Sequence, residues 1–321
     1  MKKIVVTGAL GFIASNLAKA LNRKGFEELI LVDDFSKVEK NENLIDVKFQ
    51  QKIERGAFIE WLSEYSDEVA FIFHLGARTD TTEFNFRILD ALNLSYSKAI
   101  LEICIAHDIP LLYASSAATY GLGENGFDDD ETKIETLKPL NPYGVSKQLF
   151  DEYLLAQKQL PSHWWGLKFF NVYGEHEQHK GRMASVVFHA FHQINKEKKI
   201  NLFQSHNEKY GDGEQLRDFI YVADVVAICI YIFEQKIKNG IYNVGTGNAR
   251  SFNDLAKAVF AALALPTAIN YIPTPADIRD KYQYFTEANM QKLIATGYSF
   301  PFTSLEDGIK KYVSYLSKNT H

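Results

Sequence analysis

The sequence predicts an α/β fold: a doubly wound parallel sheet followed by a smaller C-terminal α/β lobe. Three observations predict it. Short, uniformly apolar strand-like runs alternate with helical periods through the first half, as expected for strands covered on both faces. A glycine turn separates the first such run from the first helix. After about residue 175 the strands shorten and loops intervene.

The elements follow in order. "KIVVTG" opens the sheet, "FIASNLAKALNRKG" is the first helix, and "ELILVDD" and "VKFQQ" are the next strands. A helix over 56–65 leads into "AFIFHLG", and a helical pattern from 83 to 107 leads into "IPLLYASS". The helix 144–160 and the strand "WGLKFFNVYG" extend the series. Right-handed crossovers between such units give one wound sheet. Beyond it come the short strands "INLFQ" and "NGIYNVGTG", with helices at 182–196, 222–236, 251–264 and 304–318. The expected division is a dinucleotide-binding domain over 1–175, rejoined by about 217–248, with 176–321 mainly a substrate-binding lobe. The acidic run Asp128-Asp129-Asp130-Glu131 reads as a solvated loop.

Bulk properties narrow the function. A chain of 321 residues, 46% hydrophobic, has ample material for one large core and a lobe. The net charge of -5, without a Lys/Arg run, argues against a nucleic-acid partner. Cys104 and Cys229 sit in apolar helical patterns and read as buried thiols of a reducing compartment. The apolar run "VVAICIYIF" is too short to span a bilayer. A soluble cytoplasmic protein is expected.

"VTGALGFIASNL" lies between a strand and a helix, the context of a Rossmann-type dinucleotide fingerprint. Gly8 permits the tight turn, and Gly11 admits a pyrophosphate to the helix start at Phe12 and Ile13. Ala14 stands where the third glycine serves only close packing. Asp33 ends the second strand, where a carboxylate accepts hydrogen bonds from an adenosine ribose, and Asp34 follows. Two carboxylates favour NAD; Lys37, Lys40 and Arg55 nearby would accommodate the extra phosphate of NADP. The fourth strand ends in Leu75, Gly76, Ala77, Arg78 and Thr79, a segment able to pass close to the cofactor.

The chemistry resides in "YASSAATYG" and "NPYGVSKQ". Tyr143 and Lys147 are four apart at a helix start and share a face. A phenol ionises near pH 10 and is a poor base at neutrality. A neighbouring ammonium and an oxidised nicotinamide would both favour the phenolate. Ser116, at a strand end, can bond the same substrate oxygen.

These motifs, with "FFNVYG" and "GDGEQLRDFIYVADV", resemble the extended short-chain dehydrogenase/reductase superfamily of nucleotide-sugar epimerases and dehydratases. The resemblance implies Ser116, Tyr143 and Lys147 as the catalytic trio, Asn93 near the cofactor, and Arg217 on the sugar nucleotide's phosphates. Dehydratases carry an Asp-Glu pair after the strand-end hydroxyl. Here Ala117-Ala118 stand instead, which leaves oxidation and reduction.

The segment "HKGRMAS" is similar to a signature of the ADP-L-glycero-D-manno-heptose 6-epimerase family, and "TTEF", "PLNPYGVSKQLFDEY" and "DKYQYFTEANM" agree. That resemblance implies epimerisation at carbon 6 through transient oxidation to a ketone. Since the carbonyl oxygen lies on opposite sides in the two half-reactions, it implies two acid-base groups, Tyr143 and Lys180. A lysine among cations and partly desolvated would have its pKa lowered. It further implies bound NADP, with Val172 and Lys180 beside it. Asn171, Arg182, His189, Phe203, Gln204, Ser205, His206 and Tyr282 are expected around the ADP-heptose. A cytoplasmic homo-oligomer, a pentamer, is implied as well. His176 and His179 are three apart, not the four of a zinc-protease helix, and no metal is expected. Two rivals remain: a UDP-hexose 4-epimerase or reductase, which needs no second base, and a non-catalytic dinucleotide sensor.

Overall fold

The computed structural model describes residues 2–275, 279 and 282–319. β1 (Lys3–Thr7) turns through the glycine segment into α1 (Phe12–Arg23), and β2 (Leu29–Asp33) follows. β3 (Gln51–Glu54), α2 (Phe58–Tyr65) and β4 (Val69–His74) complete the first half-sheet. α3 (Phe86–Leu89) runs through a π-helical turn, Asp90–Ser95, into α4 (Tyr96–His107), then β5 (Leu111–Ser116), α5 (Pro142–Leu155) and β6 (Trp164–Phe169). Then come β7 (Asn171–Tyr173), α6 (Val186–Glu197), β8 (Ile200–Phe203), β9 (Leu216–Arg217) and β10 (Phe219–Tyr221). α7 (Val222–Gln235), β11 (Gly240–Val244), β12 (Arg250–Ser251), α8 (Phe252–Ala262) and β13 (Ile269–Ile272) follow. A short helix, Gln291–Ile294, and a C-terminal helix, Leu305–Asn319, end the chain.

Seven strands form one parallel sheet in the order β3-β2-β1-β4-β5-β6-β11. The order reverses between β1 and β4, so their C-terminal ends frame a crevice of the kind that receives dinucleotides. Apolar side chains cover both faces. Leu17, Leu21, Leu31, Phe71 and Ile228 pack on one, and Val5, Ile30, Ile72, Ile100 and Phe150 on the other. A third cluster joins α6, α8 and the C-terminal helix through Phe191, Val259 and Ile309. α5 starts where its sequence dictates: Asn141 caps Gly144 N–H at 2.8 Å, and Pro142 takes the first turn, where its missing donor costs nothing.

Several expectations shift. The third strand is Gln51–Glu54, not "VKFQQ", because Asp46 takes a left-handed conformation and Val47 N–H turns back to Leu44. The helical pattern from 83 starts at Phe86 behind the Asn85 cap and contains the π turn. The helix foreseen over 182–196 starts at Val186, since Gly181 (φ 54°) breaks the backbone and Ser185 caps Phe188 N–H. The helix foreseen over 144–160 ends at Leu155.

The acidic run is more than a solvated loop. β11 is an edge strand, and its outward N–H groups at Ile241 and Asn243 donate to Glu131 Oε1 and Asp129 Oδ2, both at 2.8 Å. Lys292 Nζ donates to Glu131 and to the Ile241 carbonyl at 2.5 and 2.8 Å. The carboxylates satisfy donors that the sheet leaves unpaired.

Candidate active site

The crevice is built by backbones in close approach. Gly8 has φ 69°, and a Cβ there would lie 2.6 Å from Gly76 Cα; one on Gly11 would lie 2.8 Å from the Gly8 carbonyl oxygen. Gly76 N–H donates to Thr7 Oγ1 (3.1 Å), which also meets His74 Nδ1 (2.8 Å), and Ser97 Oγ meets His74 Nε2 (2.8 Å). Burial pushes His74 down to about 3, so the imidazole is neutral. Leu10 N–H donates to Asp33 Oδ2 at 2.8 Å, bracing the glycine turn against β2. The Ser36 hydroxyl bonded to Asp34 holds its carboxyl below the usual range, and Arg55 lies 4.0 Å away. Lys40 is half-buried and faces His179. Leu75 and Ala77 are half-buried, and Arg78 and Thr79 are exposed.

Asn93 sits on the π turn and brackets Arg78. Its Oδ1 accepts the Arg78 N–H (2.7 Å), and its Nδ2 donates to the Arg78 carbonyl (3.0 Å) and to Ser146 Oγ (3.1 Å). The loop after β4 is thereby latched to α5, the helix that carries Tyr143 and Lys147.

Ser116 and Tyr143 are hydrogen-bonded through their hydroxyls. Burial raises the Tyr143 phenol, and the bond to Ser116 works against the rise. The expectation that Lys147 lowers the phenol is corrected here, because its ammonium donates instead to the Ala114 carbonyl at 2.8 Å. Burial pushes Lys147 down to about 8, with Asp151 opposing. Below the trio lies a buried network the sequence did not reveal. Asp151 accepts from Tyr113 (2.9 Å), Ser115 (2.7 Å) and Lys168 (2.9 Å); Lys168 also donates to Thr119, which donates to the Ser116 carbonyl. A lysine inside the apolar run of β6 was the available signal.

Lys180 lies on the turn Gln178–Met183, half-buried, its Nζ 5.3 Å from the Phe12 ring centroid at the start of α1. Its pKa is lowered chiefly by burial. The group that opposes this is the carboxylate of Glu177, so the expected surround of cations is corrected. His176 contacts Ser15 Oγ (2.9 Å) and Lys19 Nζ (3.2 Å), and His179 contacts Asn43 Nδ2 (3.2 Å). Burial pushes both imidazoles down to about 4. Among the described residues no group of three potential ligands gathers to hold a metal. Arg182 is exposed and reaches across to the loop after β4, bonding Asp80 Oδ2 (3.3 Å) and Thr82 Oγ1. His189 is exposed, its Nε2 3.3 Å from the Arg182 carbonyl oxygen.

A second cluster gathers around buried Arg217. The guanidinium donates to the carbonyls of Leu216 (2.8 Å) and Gln283, and its Cζ stands 5.6 Å from the rings of both Phe252 and Tyr282. The Phe203 ring meets Tyr282 at 6.1 Å, and His206 Nδ1 meets the Tyr284 hydroxyl at 2.8 Å. Tyr284 escaped the sequence reading. Gln204 is exposed, and Ser205 N–H donates to Asp212 Oδ1 (2.7 Å) in the insert before Arg217. Asn171 and Val172 lie on β7, which pairs with β10 just beyond Arg217. Asp280 and Lys281 of the "DKYQYFTEANM" motif fall outside the described residues.

The profile of the family described as NAD dependent epimerase/dehydratase matches residues 4–245. The chain belongs to that family. Within this epimerase/dehydratase family it is 43% identical over 326 residues to the ADP-L-glycero-D-manno-heptose-6-epimerase of Fusobacterium nucleatum subsp. nucleatum, covering 98% of each chain. It is 44% identical over 311 residues to the protein of that name from Nitratidesulfovibrio vulgaris strain Hildenborough, covering 96% of each. Among solved structures, the Helicobacter pylori ADP-L-glycero-D-manno-heptose-6-epimerase superposes with a TM-score of 0.81 at 28% identity, over 98% of this chain and 96% of that one. The Thermotoga maritima UDP-glucose 4-epimerase superposes with a TM-score of 0.80 at 27% identity, over 99% and 100%.

A nicotinamide dinucleotide is the family's cofactor, and the crevice fits it. Gly8, Gly11 and Gly76 leave open backbone where side chains would collide. α1 begins with Phe12 and Ile13 and has no acidic residue in its first turn, so its N–H groups suit a pyrophosphate. Among the described residues no helix is long and apolar enough to cross a membrane.

Proposed function

We propose that the protein is an isomerase that converts ADP-D-glycero-β-D-manno-heptose to ADP-L-glycero-β-D-manno-heptose at carbon 6. One observation carries this reading beyond the relatives' names. A second ionisable group, Lys180, is half-buried against Phe12 at the head of α1, in addition to the Ser116–Tyr143–Lys147 set at the end of β5 and the start of α5. Carbon 6 of a heptose has no adjacent carbonyl, so its proton is too weakly acidic for direct removal, and passage through a ketone solves this. When bound, the dinucleotide supplies the acceptor and later the donor of hydride. Tyr143, bonded to Ser116, takes the hydroxyl proton on one side of the carbon; Lys180 handles the proton on the other. Lys147 fixes the strand end through Ala114. Arg217, Tyr282, Phe203 and His206 receive the nucleotide end; Asn171 and His189 face the sugar. Residues 176–321 form most of the substrate lobe, with about 217–248 returning to the dinucleotide domain.

NADP is the preferred cofactor in this reading, its extra phosphate met by Arg55 and Lys40. Asp34 favours a second reading, NAD, because Ser36 holds its carboxylate ionised near the ribose end. Denaturing the purified protein and identifying the released dinucleotide separates the two. The protein works as a cytoplasmic homo-oligomer, a pentamer, that supplies the heptose of the lipopolysaccharide inner core.

The test is to incubate the protein with the D-glycero substrate and follow carbon 6 by NMR. Lys180→Ala is expected to lower turnover roughly 10²- to 10⁴-fold, the usual worth of a positioned acid-base group. Full activity in that variant overturns the two-base mechanism and favours the 4-epimerase reading.

A further inference from the structure

Glu177 is wholly buried, yet it carries a carboxylate that the chemistry above does not use. Its oxygens accept from three donors: Ser185 N–H at 2.6 Å on Oε2, and Ser185 Oγ at 2.6 Å with Gly174 N–H at 3.4 Å on Oε1. All three donate to it. Such a set suits the ionised carboxylate, which the bonds from Ser185 favour against the upward pull of burial. Its placement is unusual in one respect. Gly174 directly follows β7 and Ser185 caps α6, so one side chain closes both ends of the segment that bears Lys180. The Glu177 backbone completes the closure, since its carbonyl accepts the Lys180 N–H at 2.9 Å.

We propose that Glu177 is a positioning residue for Lys180: a buried anion that fixes the turn 178–183 between β7 and α6 and holds the ammonium against Phe12. This rests on the reading of Lys180 as the second acid-base group. A helix cap alone needs no ion, because Ser185 already caps Phe188 N–H at 3.2 Å. A buried carboxylate without a nearby cation is costly: burial raises the Glu177 carboxyl, and the Ser185 hydroxyl and then the Lys180 ammonium oppose that rise. The other groups facing this pair are few. His179 on the same turn is kept neutral by burial, the Phe12 ring comes from α1, and the Tyr312 hydroxyl comes from the C-terminal helix beside Glu177. With the anion removed, burial alone acts on Lys180, so its titration must move to lower pH.

The experiment compares Glu177→Gln, Glu177→Asp and Lys180→Ala in the epimerase assay from about pH 6 to about pH 10. Glu177→Gln keeps the shape and loses the charge. Its kcat should fall on the order of tenfold to a hundredfold with KM changed little, and the limb of the profile set by Lys180 should shift down by about one unit. Glu177→Asp keeps the charge and shortens the reach. Its limb should stay in place while kcat falls, and it decides the matter if Glu177→Gln does not fold. Wild-type kcat and profile in Glu177→Gln, or wild-type kcat in Glu177→Asp, overturn the proposal when Lys180→Ala is inactive. An active Lys180→Ala overturns the underlying reading of Lys180 instead, so the two failures are distinguishable.

Discussion

Three imidazoles are held neutral by burial, and they set the response of this protein to acid. His74 is pushed down to about 3, and His176 and His179 to about 4. In the unfolded chain each titrates near 6.5. As pH falls from about 6.5 to about 4, the unfolded state takes up protons that the folded state refuses, so stability falls, by up to about 1.4 kcal/mol per pH unit for each imidazole. Urea midpoints near neutrality and near pH 5 should show the loss, and His179→Gln should flatten it; a midpoint indifferent to pH contradicts the assignment. At this scale the sequence was legible where chemistry is local. Tyr143 and Lys147 are four apart on one helix, and Ser116 ends a recognisable strand. It was not legible where partners are distant. Ser15 and Lys19 precede His176 by 161 and 157 positions, and Asp80, the partner of Arg182, precedes it by 102. No local spacing could have shown that the polar turn around Lys180 is packed on α1 from one side and strapped to the loop after β4 from the other.

Among the elements, β11 is the most exposed to error. It is only five residues long and terminates the sheet, and its outward N–H groups at Ile241 and Asn243 depend on Glu131 and Asp129. Replacing both carboxylates, as Asp129→Ala with Glu131→Ala, leaves these donors unmatched and Lys292 with only backbone carbonyls to bond. A loss of about 1–3 kcal/mol for each buried donor left unsatisfied is expected, read as a lower urea midpoint. An unchanged midpoint would show that water replaces the carboxylates without cost. The run of four acids looked like a solvated face because composition reports charge and not contact. The π turn at Asp90–Ser95 was hidden for a similar reason. Its effect is to face Asn93 toward Arg78 and Ser146, and a helical period cannot reveal one added residue in a turn.

For the molecule as a whole, the reversal of strand order between β1 and β4 fixes where the dinucleotide lies, and the glycines decide whether it can approach. Gly8→Ala is a test of that arrangement: a Cβ there would stand 2.6 Å from Gly76 Cα, on a backbone with φ 69°. It should cost on the order of 1–3 kcal/mol in strain and lower dinucleotide affinity at least roughly tenfold. Fluorescence titration of the nicotinamide measures this, and wild-type affinity would rule the cradle out. The large architecture was legible because alternating apolar runs and a glycine turn at residues 8–11 act over short stretches. Of the small paired strands, β8 was legible as "INLFQ", but β13, β9 and β12 were not, since strands of two to four residues carry almost no periodic signal. The sealed margin of β11 has a consequence for how copies of this chain can meet. A neighbour wishing to lengthen the sheet there must first evict two anions and a lysine from the backbone it wants. That border is closed to backbone zippering, so copies of this chain cannot be joined by extending the sheet there.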